Sequence, residues 1–289
     1  MKPANRTGYD SREYCLENKI VGIGWPLDDI TESVTSETYE IAGKLKYQLN
    51  AARGWSKAWN AIHYTMQIND LVWTRTTKGI YFLGRVVSEW RYDFSSDAIN
   101  HDIANIRECE WIEIGLVDKV PGRVIRAFML SSTLQRVGGN DTMTYSQQLY
   151  NDLSNTTFYQ PDLSSEKDIF SLLSPDDCED VVGLFLQIKH GYLMIPSSCK
   201  RDTVGYEYEF IHKSTAEKAV AQVKSGDNFS INRDDYTDIE AKVFLFATNQ
   251  IYLGQEVNNI ICLESEELKE FMTEYYDVLP YKVKFWMAK

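Results

Sequence analysis

The sharpest alternation of apolar and polar positions lies in the second half of the chain. Tyr206-Glu-Tyr-Glu-Phe-Ile211 and Ala219-Val-Ala-Gln-Val-Lys224 both read as half-buried strands, with a polar turn over His212–Lys218 between them. Folded back symmetrically, the hairpin sets Glu209 opposite Gln222. Period-2 alternation keeps Glu207 and Glu209 on one face of the first arm, and Gln222 and Lys224 on one face of the second. Two carboxylates, an amide and an ammonium then share a sheet face where a purely structural hairpin more often carries apolar residues. Upstream, Asp176-Asp-Cys-Glu-Asp180 opens the apolar helical run 181–188. Downstream, Lys242-Val-Phe-Leu-Phe-Ala-Thr248 reads as a buried strand, and Glu264–Tyr276 as an amphipathic helix striped by Leu268, Phe271 and Met272.

The first half is patterned differently. Residues 11–17 predict a short strand or a helical turn. Ile20-Val-Gly-Ile-Gly-Trp25 predicts a buried strand that Pro26 stops. Helices are predicted over 32–50 and from Ser56 to Met66. A mainly β stretch follows: Asn69–Arg75, a turn at Thr76–Gly79, Ile80–Val87, then Arg107–Ile114, placed at a sheet edge because of its charges. Gly138-Gly139 closes the unit. Residues 141–165, rich in Ser, Thr and Asn, read as a linker that holds at most a short helix at Tyr145–Leu153. The domains expected are thus 1–140 and 166–289.

Charge refines this division. The 289 residues carry net charge −12, yet residues 1–150 hold 17 Lys and Arg against 18 Asp and Glu, whereas 151–289 hold 13 against 24. Ten of the 12 arginines lie in the first half, so any phosphate contacts are expected there, with Arg75, Arg85, Arg123 and Arg126 (and Arg136 beside them) as candidates. Cysteines at 15, 109, 178, 199 and 262 have no metal-site or redox spacing and suggest reduced thiols in a cytoplasmic protein. No apolar run of eighteen and no signal peptide is present. The four histidines fit no triad, and the absence of a Gly-x4-Gly-Lys-Ser/Thr loop means that any ATPase would be a separate partner.

An acid on one strand, followed after a turn by Gln222-x-Lys224 on the next, resembles the PD-(D/E)xK nuclease superfamily, and its Gln-for-acid form resembles the Mrr-type restriction nucleases. The resemblance implies an α/β restriction-endonuclease-like domain over 166–289. It implies that Glu179, Glu209 and Gln222 hold Mg²⁺ or Mn²⁺, and that Lys224 steadies the attacking water or the phosphate. Glu207 stays open against Glu209, and Asp180 against Glu179, because a two-residue register shift exchanges the strand acids. Gly22-Ile-Gly-Trp25, Asn69-Asp-Leu-Val-Trp73 and Gly79-Ile-Tyr-Phe-Leu-Gly-Arg85 resemble the PUA-like group of mixed β-barrels that contains EVE and YTH domains. The fold class expected is therefore an α+β arrangement, a PUA-like barrel followed by the nuclease-like domain. Such readers take up a modified or flipped-out base in an aromatic pocket, and six of the seven tryptophans lie in this half. Trp25, Trp73 and Trp90 are the candidates for that pocket.

The function implied is a Mg²⁺-dependent DNA endonuclease of modification-dependent restriction or antiphage type. Its partner is DNA, modified or unmodified, and a homodimer is expected by analogy because two strands must be cut. The competing reading is a non-catalytic nucleic-acid-binding or partner-docking protein with a degenerate nuclease fold. In it the acids and Lys224 are a cross-strand ion pair, and the tryptophans are barrel core.

Overall fold

The structure, a computed structural model, describes residues 1, 8–30, 32–47, 52–129, 133–161, 168–198, 205–226 and 228–289; Cys199 lies outside these. The chain divides into two compact units, Met1–Asp162 and Leu163–Lys289, and the fold is mixed α+β. No helix among the described residues is long and apolar enough to cross a membrane.

The first unit runs α1 (Ser11–Glu17), β1 (Ile20–Ile23), α2 (Ser36–Tyr47) and α3 (Ala52–Trp59), the last passing into a π-helix over Asn60–Thr65. It continues with β2 (Leu71–Arg75), β3 (Tyr81–Val86), β4 (Arg91–Tyr92), α4 (Ser96–Asn100), β5 (Asn105–Gly115), α5 (Gly122–Ala127) and α6 (Asn140–Ser154). Residues 11–17 are helical because the Asp10 carboxylate accepts from the backbone N–H of Arg12 and Glu13, satisfying two of the donors that a helix start leaves over. The sheet has the order β1-β5-β3-β2, all antiparallel, and curls into a half-barrel. Its curl comes from β5. Residues 105–108 of that strand pair with β1, while 109–115 pair with β3.

The edge placement expected for residues 107–114 is therefore corrected: β5 is the central strand. Its charges are accommodated individually. Glu108 and Glu110 point to solvent, whereas Arg107 is 2% exposed. The Arg107 guanidinium donates to the carbonyls of Ile62 (2.7 Å), His63 (3.1 Å) and Ser88 (3.2 Å), and pairs with Glu89. Arg107 thus ties the π-helix, which ends on carbonyls that the next turn does not use, to the middle of the sheet.

Residues 141–165 are corrected in the same way. The first fourteen of the 25 residues expected to be linker belong to α6, a fifteen-residue helix of the first unit, and residues 162–165 lie outside the described ones. Thr142, Tyr145, Ser146, Leu149 and Tyr150 form its buried face at the i, i+3, i+4, i+7, i+8 spacing. Four of these five residues bear hydroxyls, a composition that by itself reads as loop. In place, the hydroxyls have partners: Ser146 Oγ accepts from Trp73 Nε1 at 3.1 Å, and Tyr145 donates to the Lys119 carbonyl at 2.9 Å.

The second unit runs α7 (Ile169–Leu172), α8 (Pro175–Ile188), β6 (Tyr192–Met194), β7 (Tyr208–His212), β8 (Lys218–Lys224), β9 (Ile231–Asn232), β10 (Lys242–Ala247), β11 (Tyr252–Leu253), β12 (Ile260–Cys262), α9 (Ser265–Glu274) and α10 (Tyr281–Met287). The main sheet has the order β12-β10-β8-β7-β6. The β6-β7-β8 pairs are antiparallel, and β10 lies parallel to both β8 and β12. Such a sheet is buried on both faces. Val220, Val243 and Leu245 pack with Ile231, Tyr236 and Ile260 on one side. On the other, Phe246 meets Phe170, and Phe244 meets the rings of Tyr192 and His190.

Helix α8 starts at a capping box in which Ser174 and Asp177 satisfy each other's backbone N–H. Asp177 has a second role. Its other carboxylate oxygen lies 2.6 Å from Lys282 Nζ on α10, a helix that the sequence pattern did not announce, and both residues are buried. Removing one member of a buried pair strands the other charge. Lys282→Ala is therefore expected to lower stability by about 3 kcal/mol or more, read by urea unfolding with hydrogen exchange across α8 and α10 to isolate the second unit. The double variant Asp177→Asn, Lys282→Met is expected to recover much of that loss.

Candidate functional site

The site is built at the end of the second unit's sheet where β7 begins and β8 ends. Its geometry follows from the hairpin register. Tyr208 stands opposite Ala221 and Glu209 opposite Val220, and Glu207 N–H donates to the Ala221 carbonyl at 2.8 Å. Continuing this antiparallel register sets Glu207 opposite Gln222, two residues from the symmetric pairing. The turn causes the shift. His212 Nδ1 faces the N–H groups of Ser214 and Thr215 (3.3 and 3.2 Å), and Ala216 adopts a left-handed conformation with φ of 57°. This closes the turn early enough for His212 N–H to reach the Glu217 carbonyl at 2.9 Å.

The register chooses between the strand acids. Gln222, 3% exposed, donates from Nε2 to Glu207 Oε1 at 2.8 Å. Glu209 is exposed and accepts from the Tyr206 hydroxyl at 2.7 Å. Of the expected set, Gln222 meets Glu207 directly, Glu179 lies within the charge field of Glu207, and Glu209 stands apart. Lys224 follows Gln222 on the same strand face, about 7 Å further along, and is exposed.

Glu179 comes from α8 and is half-buried, with the Tyr208 hydroxyl 3.4 Å from its Oε2. Burial, followed by the negative charges of Glu207 and Asp176, pushes its pKa up to about 7. Asp180, the rival acid, is exposed on the flank of α8 near Lys282 and Asp177. The helix acid that faces the hairpin is Glu179. Among the described residues, no three His, Cys, Asp or Glu side chains form a metal-holding group on their own. The candidate donors are two carboxylates and one amide.

In the first unit, the three expected base-reading tryptophans separate. Trp73 is buried and turned towards α6. It lines no cleft with the others, because alternation along β2 sends Val72, not Trp73, to the aromatic side. Trp25 and Trp90 are half-buried, and both border the cluster around Tyr39. The Tyr39 hydroxyl donates to the Trp25 carbonyl (2.8 Å), its ring lies 5.5 Å from Trp90 and 4.8 Å from Trp59, and it accepts from Asn105 Nδ2 (2.9 Å). Trp90 Nε1 donates to Asn105 Oδ1 at 3.2 Å, and Trp25 meets Tyr47 edge-on at 5.0 Å. The residues that organise this cluster, Tyr39, Tyr47 and Asn105, were not singled out from the sequence. Their signal there was only the helical spacing of Tyr39 and Tyr47.

A family model described as "Domain of unknown function (DUF8426)" matches residues 1–133, a span that contains this aromatic cluster and ends before α6. No curated protein and no solved structure matches the chain.

The expected phosphate-binding arginines are mostly engaged internally. Arg85 pairs with Glu110 at 2.6 Å and lies over the Phe158 ring at 4.3 Å. Arg75 lies over Phe128 at 5.0 Å and donates to the Tyr81 hydroxyl. Arg123 stands 3.7 Å from Asp141, and Arg126 is half-buried on α5.

The raised Glu179 pKa has a consequence for stability. Below the ordinary value of 4.5 the carboxyl is protonated in both states and folding carries no penalty. As pH rises from about 4.5 to about 7 the unfolded chain ionises first, so the native state progressively loses stability. The thermal midpoint of the second unit is expected to fall across this window, and Glu179→Gln to flatten the fall. An unchanged pH profile in Glu179→Gln would contradict this account.

Proposed function

We propose that the second unit is a Mg²⁺- or Mn²⁺-dependent nuclease acting on DNA, and that the first unit reads bases, modified ones among them. The observation that carries this reading is the Glu207–Gln222 pair, with Glu179 within the charge field of Glu207 and Lys224 next along the same strand face as Gln222. The order of helix α8, three antiparallel strands and a parallel fourth also agrees with the PD-(D/E)xK resemblance. On the reader side, the support is the Tyr39 cluster with Trp25 and Trp90 at its border.

The donor set fits the metal proposed. Carboxylate and amide oxygens are hard ligands suited to Mg²⁺ and Mn²⁺. Mg²⁺ is commonly held by one or two carboxylates, with substrate phosphate and water completing its shell. Glu179 is half-buried beside another carboxylate, and a divalent cation would supply the missing counter-charge. When bound, the metal neutralises charge at the phosphate and lowers the pKa of water. The residues of the chain do the positioning. Glu207 and Glu179 hold the cation, Gln222 fixes the Glu207 carboxylate and offers its amide oxygen, and Lys224 stabilises the phosphate charge. Reader and nuclease in one chain fit a restriction or antiphage role, and a homodimer would allow both strands to be cut.

The test is plasmid cleavage by the full chain with Mg²⁺ or Mn²⁺, on modified and unmodified DNA. Glu207→Gln is expected to abolish both cleavage and the metal-induced rise in thermal midpoint. Lys224→Ala is expected to lower cleavage by about 10²–10³-fold while keeping that rise, and Glu209→Ala to stay near wild type. Cleavage that survives Glu207→Gln and Lys224→Ala would end the nuclease reading. The excess of 24 Asp and Glu over 13 Lys and Arg in residues 151–289 favours a second reading, a docking unit without catalysis. DNA binding with no metal-induced shift and no cleavage would support it.

A further inference from the structure

The strand that carries Gln222 and Lys224 runs out into a loop with one aromatic side chain, Phe229. The ring is 41% exposed, and among the described residues no other ring or cation is stacked on it. The loop is nevertheless fixed. Thr248 N–H donates to the Lys224 carbonyl (3.0 Å), Gly226 N–H donates to Thr248 Oγ1 (3.0 Å), and Asn249 Nδ2 donates to the Phe229 carbonyl (2.6 Å). Gly226 has φ of 117°, a conformation that residues with side chains rarely adopt, and a Cβ there would come within 2.9 Å of the Phe229 ring. The ring atom closest to that point is the tip carbon Cζ, with Cε1 and Cε2 further off at 3.4 and 3.6 Å. The ring thus rests on Gly226 by its tip, and its faces are not what Gly226 covers.

We infer that Phe229 stacks on a base of the bound DNA strand, next to the phosphate that Lys224 addresses. The inference rests on the nuclease reading of unit 2, and it names a further contact of that site with its substrate. Gly226, where the ring tip rests, follows Lys224 by two residues, a span of at most about 7 Å. The ring therefore stands beside the root of the Lys224 side chain. Residues 225–230 contain no Lys or Arg, so what the loop offers a nucleic acid is a ring face and not a phosphate contact. Stacking tolerates any base, since each has a π-face, which suits a site whose base reading is done elsewhere in the chain. The anchored loop leaves little conformational freedom to lose when a base stacks. Size also favours a base over a second protein. Ile251, from the neighbouring turn, is 47% exposed and held at its N–H by the same Asn249 side chain. Even with Ile251 included, the exposed apolar area falls well short of the roughly 800 Å² per partner that a stable protein interface buries.

The test gives the full chain two labelled single strands of equal length, one of thymidines and one of abasic sugar-phosphate. Binding is read by anisotropy in Ca²⁺, which takes the same oxygen donors as Mg²⁺, and plasmid cleavage in Mg²⁺ or Mn²⁺ is followed alongside. Phe229→Ala is expected to weaken thymidine binding by about tenfold, to leave abasic binding unchanged, and to raise the KM of cleavage by a similar factor. Phe229→Trp is expected to hold all three at the wild-type level or better. Gly226→Ala, which keeps the ring but displaces it, is expected to behave as Phe229→Ala. Thermal midpoints check that each variant folds. A loss that is equal on thymidine and abasic strands marks a structural role and overturns the inference. A Phe229→Ala variant that binds and cleaves like wild type overturns it too, and the nuclease reading then stands. A wild-type dimer that dissociates in Phe229→Ala also overturns it, because the ring then faces a second copy. If wild type itself does not cleave, the nuclease reading falls and the inference falls with it.

Discussion

The register of the β7–β8 hairpin is the constraint on which the candidate site depends. A strand pairing can shift by two residues without moving any side chain to the other face. Glu207 and Glu209 are therefore equivalent by alternation, and only register separates them. The separation is made at the far end of the hairpin, where the His212 ring faces the turn N–H groups and Ala216 takes a left-handed conformation. A turn of few residues thus decides which carboxylate meets Gln222 and the charge field of Glu179.

Buried charge organises both units, in opposite ways. Arg107 and Lys282 are each buried beside a partner, Arg107 donating to π-helix carbonyls and Lys282 in an ion pair with Asp177. These are well-compensated groups whose consequence is a fixed arrangement of helix on sheet. Glu179 is the contrary case. It is half-buried beside a like charge, and its carboxyl responds by holding its proton to about pH 7. Groups poised in this way are more common at sites of chemistry than in scaffolding, which is why Glu179 and not Asp177 enters the functional proposal.

The first unit shows how composition misleads about element type. Helix α6 buries tyrosines, serine and threonine, and a count of polar residues reads such a stretch as linker. Their hydroxyls are satisfied by Trp73 and by the Lys119 carbonyl, partners 73 and 26 residues away. The same holds for arginine. Ten in the first half suggested phosphate contacts there, but Arg75, Arg85, Arg107 and Arg123 are used for stacking, pairing and carbonyl contacts within the unit.

The sequence by itself determined what short-range periodicity controls. It placed the β7–β8 hairpin, the helix that begins near Asp176, the buried strand over Lys242–Ala247, and the hairpin of β2 and β3. It also determined that Gln222 and Lys224 share a face, because the side-chain period of a strand is two whatever the surroundings. Tertiary structure decided everything that depends on a distant partner. It made β5 a central strand despite its charges, turned Trp73 to α6 and away from Trp25 and Trp90, paired Lys282 with Asp177, and chose Glu207 over Glu209. The physical reason is common to all four. A polar or aromatic side chain has several satisfactory environments of similar free energy, and the one it occupies is selected by contacts from residues far away in the chain, which no local pattern encodes.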